Sequence, residues 1–388
     1  MNPRTSLFAA VVALGTLGAC VRVSPHHADA MSAMPHEPLG EDRLSLHWKF
    51  VTSDRTTEVQ PQEFATPAVY SDTLFTGSAN GWFYALKKET GAVRWRKQIG
   101  AVACAPLVLG TVMYVGTGDG SLIAMESQTG KELWRYQSRG PIEQTPTNAG
   151  EVIVFANEAD QVVAVDAITG KFKWQYKSET PEEYTLRGHA GVTVDGDLLY
   201  TGFANGTLAA LRKENGSIAW STSLKGEADR FVDVDATPVV IEDRVYAASS
   251  SGGVYAIDKI TGLVRWRLPF YDAAMPSASG NVGGLASDGK QLYVSLADLG
   301  TYALDLGGNV IWRVGSRGGG EPATPIIVGD LLIYSLAKDG MFIANRKTGE
   351  TLEYFDPGEG ISAEPTITSD GRLYVLLNRG IIYAFDLD

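Results

Sequence analysis

Two carboxylates spaced two residues apart, Asp233 and Asp235 in "FVDVDATPVV" (231–240), pose the first chemical question of the chain. The alternation of Val and Asp predicts a β-strand. In a strand, residues two apart project from the same face. Neighbouring like charges repel there unless a cation lies opposite, so the pair asks for a positive partner. Few other residues have the types and spacing for chemistry. His26, His27 and His36 could bind a metal, but they fall in a Pro-, Ala- and Ser-containing stretch that reads as a solvated linker. His189 has no second His or Cys nearby in sequence and reads as structural or interfacial rather than catalytic. "GTGDGS" (116–121) has a Gly spacing that could cradle phosphate, yet no helix or Lys follows, so a hairpin turn is the expectation. Cys104, in "ACAP", is expected on the innermost strand of its unit as a buried small hydrophobe. Neither a Ser-His-Asp order with a strained turn nor a His-Glu pair at zinc spacing occurs, and no cofactor or metal is expected.

Composition narrows the field further. A formal net charge of −12 on 388 residues opposes a phosphate-neutralising surface, so nucleic acid is not an expected partner. Two cysteines, Cys20 and Cys104, are too few for a disulfide framework. The start, "MNPRTSLFAAVVALGTLGAC", joins a basic residue, Arg4, to an apolar run from Leu7 to Leu17 and then to small residues before Cys20. This predicts a secretory signal over residues 1–19, too short for a spanning helix. Leu17-Gly18-Ala19-Cys20 resembles the bacterial lipoprotein signal, which implies that Cys20 becomes the lipidated first residue, carrying palmitate. Val21, rather than Asp, follows it, which by the same resemblance points to the outer membrane. Residues 20–42 then read as the lipidated Cys and a flexible tether.

What must position Asp233 and Asp235 is a repeat. "YALKKETGAVRW", "IAMESQTGKELW", "VAVDAITGKFKW", "AALRKENGSIAW" and "YAIDKITGLVRW" align without gaps, with Ala six before a Gly and Trp four after it. "YALDLGGNVIW" is one residue shorter; "FIANRKTGETLEY" has Glu353 in the Trp position; "IYAFDLD" stops before any Trp. Each unit reads as four short strands, "ATPAV", "TLFTG", "WFYAL" and "AVRWRK" in the first. They are joined by turns such as Asn80-Gly81, Asp119-Gly120, Asn205-Gly206 and Asp339-Gly340. The Gly before the last strand is expected in the left-handed region. Ala and Trp are expected to pack between neighbouring sheets. The blade-packing residues are thus Trp48, Trp95, Trp134, Trp174, Trp220, Trp266 and Trp312. Trp spacings of 39, 40, 46, 46 and 46 residues suit one four-stranded blade each. The last unit lacks a final strand, whereas "LSLHWKF" (44–50) is a Trp strand without a unit. Joining them predicts an all-β, eight-bladed propeller over 43–388, its ring closed by the N-terminal strand.

The Ala-x-Asp-x-x-Thr-Gly-x-x-x-Trp pattern, complete at Ala164–Trp174 and Ala256–Trp266, resembles the repeat of quinoprotein propellers, the PQQ-like repeat. With a lipoprotein signal, a short tether and eight blades without insertion, the chain resembles the BamB family of the outer-membrane β-barrel assembly (BAM) complex. Three connections are long, "SETPEEYTLRGHAG", "SLKGEADRFVDVD" and "PFYDAAMPSASGNVGG", and in a propeller all such outer-to-inner connections share one face. Arg187 therefore lies one blade from Asp233 and Asp235 and is the expected cation, pairing bidentately with carboxylate. The cluster reads either as a staple between blades four and five or as a docking patch. The resemblance implies the second, with Tyr184, Leu186, Arg187, Asp233 and Asp235 contacting the POTRA domains of the barrel subunit BamA. Tyr184 departs from the aliphatic residue expected there. It further implies a non-catalytic scaffold at the periplasmic face of the outer membrane, with other BAM subunits and unfolded barrel proteins as partners.

Two alternatives remain. A quinoprotein dehydrogenase would need a quinone and Ca²⁺ site and typically a vicinal cysteine pair, which the chain lacks. A surface lipoprotein binding polysaccharide or another envelope complex would use exposed aromatics, with Trp82 the candidate, although packing on a neighbouring blade explains that residue more simply.

Overall fold

The apolar residues of each repeat concentrate in its two middle strands, which dictates where they go. In the third unit Val152–Asn157 and Gln161–Asp166 are buried almost throughout, while the following Phe172–Lys177 alternates towards solvent. A strand covered on both faces reads as a continuous apolar run, and one covered on a single face alternates. The middle strands therefore lie between neighbouring sheets and the last strand forms the rim. The computed structural model describes residues 43–52, 61–178, 190–225, 233–250, 252–270, 282–316 and 320–387. Among them are eight four-stranded antiparallel sheets, the blades of a propeller. Blade one runs Ala68–Tyr70, Thr73–Thr76, Trp82–Lys87 and Val93–Gln98 from inside to outside.

The seam follows the expectation. The strand Leu44–Val51 pairs antiparallel with Ile381–Leu387 and completes the eighth sheet, with Trp48 opposite Ala384. Thr52 then donates both its N–H and its hydroxyl to the Gly380 carbonyl, at 2.7 and 2.8 Å.

The Ala and Trp of the repeat divide their work differently from the expectation. They are cross-strand neighbours within one sheet: Ala85 opposes Trp95, Ala124 opposes Trp134 and Ala256 opposes Trp266. On the other side of the Ala stands an aromatic residue in most blades, such as Tyr114 opposite Ala124 and Tyr246 opposite Ala256. The small Ala lets the two rings meet over it in a tilted contact, 5.7 Å between centroids for Tyr114 and Trp134. The contact between sheets is made by Trp with the turn Gly of the next blade. A Cβ added at Gly130 would lie 2.8 Å from the Trp95 ring, and one at Gly262 2.7 Å from Trp220. These glycines also have φ near +70°, where a side chain is strained. Each of the seven indoles donates to a carbonyl of that next blade at 2.8–3.2 Å, from Trp48 to Lys88 O through Trp312 to Arg346 O.

The Asp of the complete motif has a local task. Asp166 Oδ1 accepts from the Ile168 and Thr169 amides and the Thr169 hydroxyl, and Asp258 repeats the arrangement with Ile260 and Thr261. These bonds hold Asp166 down to about 2 and lower Asp258 further. Blade seven, with Glu353 in place of Trp, puts Ile343 in the Ala position, and Glu353 Oε2 accepts the Arg43 amide at 2.8 Å. Gly340 departs from the expected turn: it does not take positive φ, and close approach to Phe355 O excludes a side chain there instead.

Candidate functional site

Where it is described, the chain after an outer strand crosses its blade to the next inner strand, as at 99–106, 138–146 and 356–365. Those segments meet around the propeller axis at one end. Their last residues follow a pattern ending in Pro: "EFATP", "VACAP", "IEQTP", "VDATP", "EPATP" and "ISAEP". The residues three and one before the Pro face the axis, including Phe64 and Thr66, Ala103 and Ala105, Glu143 and Thr145, and Ser362 and Glu364. The intervening residues turn into the blade, where Ala65, Cys104, Ala236 and Ala363 are buried. The result is an axial cavity of about 260 Å³ lined by carboxylates from four blades: Glu143, Asp235, Glu321 and Glu364.

Asp233 and Asp235 are not on a strand. Strand pairing begins only at Val239, and before it the backbone makes single bonds to neighbouring segments, Ser250 N to Asp233 O at 3.1 Å and Val234 N to Phe203 O at 3.3 Å. Asp233 is 1% exposed, and its carbonyl accepts the Ser250 amide at 3.1 Å. Asp235 lines the cavity. Its Oδ2 accepts the Ser250 hydroxyl at 3.2 Å, while its Oδ1 is shut off from solvent without a hydrogen-bond partner among the described residues. Burial, followed by the charge on Asp233, lifts the Asp235 carboxyl well above the usual range; Glu158 and Glu321 push the same way and the Ser250 hydrogen bond pulls back. Burial alone raises Glu364 to about 7. Ser362 Oγ, also on the wall, is a second buried atom without a partner among the described residues.

The same segments hold other residues singled out by sequence. Cys104 lies in the crossing segment before Leu107–Leu109, not on the strand itself. It is buried and its thiol is pushed up to about 12 by burial, so it stays protonated. Tyr184, Leu186, Arg187 and His189 lie outside the described residues, as do Cys20, His26, His27 and His36. The "GTGDGS" stretch is a hairpin turn: the Thr117 and Asp119 side chains accept the Ser121 amide, both at 3.0 Å, and Gly120 has φ +83°. Trp82 is part-buried against the blade-one core, and the Arg96 guanidinium stacks 4.7 Å from its ring centroid. Sequence reasoning missed Glu143, Glu321 and Glu364. For Glu143 and Glu364 the signal was the Pro that ends each crossing segment, since alternation counted back from it marks positions facing the axis; Glu321, four before Pro325, lies off that alternation.

Comparison with known proteins places this architecture. A family model described as outer membrane protein assembly factor BamB matches residues 45–143 and 106–314, more than half of the chain. The chain belongs to the BamB family. The BamB of Escherichia coli K12 is 26% identical over 215 residues, an alignment covering 52% of this chain and 50% of that protein. The match thus spans about half the length of that relative, and the same holds for the Salmonella typhimurium BamB at 27% identity. The BamB of Burkholderia pseudomallei aligns over 335 residues at 28% identity, covering 82% of this chain and 83% of its own. Among solved structures, BamB from Moraxella catarrhalis superposes with a TM-score of 0.73 at 20% identity, over 89% of this chain and all of that one. The quinohemoprotein alcohol dehydrogenase of Comamonas testosteroni reaches 0.69 at 16% identity, covering 89% of this chain and 76% of its own. At such identities these two likenesses concern the fold.

Proposed function

We propose that the chain is a non-catalytic scaffold lipoprotein of outer-membrane protein assembly. Cys20 anchors it to the periplasmic face of the outer membrane, and the crossing-segment end of the propeller docks on the POTRA domains of a BamA-like partner. The observation that carries this reading is membership of a family named for outer membrane protein assembly, by a match that runs through most of the blades. The buried, protonated Cys104 thiol is no nucleophile, which agrees with a non-catalytic role. The docking patch comprises Tyr184, Leu186, Arg187, Asp233 and Asp235. Within it Asp233 acts from inside: buried at the head of blade five, it fixes the segment through Ser250 rather than touching a partner. Arg187 supplies the cationic contact and Asp235 its acidic neighbour.

The test is a mild-detergent pull-down of the tagged, lipidated protein from its native membranes, compared with Arg187→Glu. A POTRA-bearing barrel protein should accompany the wild type and be lost from the variant while circular dichroism stays the same. Equal recovery with both proteins would remove Arg187 from the interface. Absence of any such protein from the wild-type sample would overturn the assembly role.

A further inference from the structure

The axial cavity has a composition that docking does not explain. Its described wall carries Glu143, Asp235, Glu321 and Glu364, and no Lys, Arg or His occurs among the described residues lining it. Two buried polar atoms on that wall, Asp235 Oδ1 and Ser362 Oγ, lack hydrogen-bond partners among the described residues. A buried carboxylate oxygen left without a partner is costly, and a cation with N–H groups is the ligand that would satisfy it. We propose that this cavity is a binding site for a small alkylammonium cation such as a linear polyamine.

The geometry selects that class over a metal ion. Among the described residues no group of three or more His, Cys, Asp or Glu converges to hold a metal. The carboxylates instead come from blades three, five, seven and eight, one from each, and face the axis from separate directions. Charges dispersed around a cavity suit a ligand whose own charges are spaced along a chain. Between them Phe64, Ala103, Val282 and Pro322 provide apolar wall for methylene groups. A volume of about 260 Å³ is slightly below the common range for drug-sized ligands, about 300–1,000 Å³, and matches a small molecule. The elevated carboxyls fit as well: Asp235, facing Asp233, Glu158 and Glu321, and Glu364, raised by burial, tend to hold protons until a countercharge arrives. Binding should therefore expel protons. The site shares Asp235 with the proposed docking patch but rests on the cavity wall, so spermidine binding and partner recovery are read separately.

The experiment is isothermal titration calorimetry of the full-length protein with spermidine at pH 7, in two buffers of different ionisation enthalpy. Saturable binding of one spermidine with buffer-dependent heat is expected. Asp235→Asn and, separately, Glu143→Gln should each weaken it at least tenfold while circular dichroism is preserved. A lysine-containing tripeptide distinguishes a free amine from a peptide side chain: weaker binding by the peptide supports the proposal, and tighter binding overturns it in favour of a basic segment. Absence of saturation, equal heats from Mg²⁺, or equal affinity in both variants would overturn it. So would spermidine binding that appears only in Arg187→Ala, because the cation would then come from the chain itself.

Discussion

Glu364 stands one residue before Pro365, where blades one, three, five and seven carry Thr66, Thr145, Thr237 and Thr324. Exchanging a hydroxyl for a carboxyl at a buried position has a consequence that depends on pH. The folded protein holds Glu364 at about 7, above its ordinary value of 4.5, through burial. For an acid raised in this way the folded state binds its proton more tightly than the unfolded chain does. Folding therefore carries no penalty below about pH 4.5, loses stability as pH rises towards 7, and levels off above it. The difference corresponds to about 3 kcal/mol at the upper plateau. Glu364→Gln should leave stability near pH 4.5 unchanged and raise it at pH 8, which urea titrations at the two pH values would measure. Equal effects at both would show that the side chain is not buried as a charge. At this scale the sequence was legible only in part. The acidic pair at 233 and 235 stood out, but alternation of Val and Asp imitates a strand where the backbone merely climbs the axis. Glu364 passed unnoticed because alternation back from Pro365 becomes a signal only once the crossing segments are known to meet around the axis.

Blades are tied to one another by indole N–H groups, and the ties differ in strength for a reason visible in the strands. Lys259 O accepts from Trp220 at 3.0 Å and also from the Tyr200 hydroxyl at 3.0 Å. Ser127 O accepts from Trp95 at 3.2 Å, but Phe75 stands where the tyrosine would be and has no hydroxyl to offer. Removing the indole donor should therefore cost more in the second case, because a carbonyl left wholly unpaired loses its full desolvation penalty, about 1–3 kcal/mol, against about 1 kcal/mol where a second donor remains. Trp95→Phe is expected to lower the melting temperature more than Trp220→Phe; the reverse order would mean that ring volume, not the hydrogen bond, couples the blades. A companion change, Gly262→Ala, should destabilise by about 1–2 kcal/mol from its left-handed backbone alone, and more because the methyl meets the Trp220 ring. The repeat made the strands, turns and blade order readable, since Gly and Trp recur at fixed spacing. It hid which partner each residue meets: periodicity gives positions along the chain, whereas the Trp-to-Gly contact joins one repeat to the next.

Ring closure belongs to the whole molecule. Seven junctions join blades continuous in sequence, while the eighth depends on Leu44–Val51 filling the outer place of the last sheet. That strand contributes three things at once: it covers the edge of Ile381–Leu387, sends the Trp48 indole to Lys88 O of blade one, and brings His47 to 3.3 Å from Asp386 and 2.9 Å from Glu89 O. Around it Arg372 bridges Asp386 and Glu89, and Lys88 reaches Asp370, so ion pairs also cross from blade eight to blade one. Exposed pairs of this kind contribute little singly, on the order of 0–1 kcal/mol, and salt screens them. The paired strand and the buried indole should therefore dominate the seam. Deleting residues 43–52 is expected to leave an open edge in blade eight that associates with other copies, seen as oligomers in size-exclusion chromatography and a lower unfolding midpoint. Raising the salt concentration on the intact protein should shift the midpoint much less than the deletion does. If salt alone reproduced the loss, charge rather than strand pairing would be what keeps the ring shut.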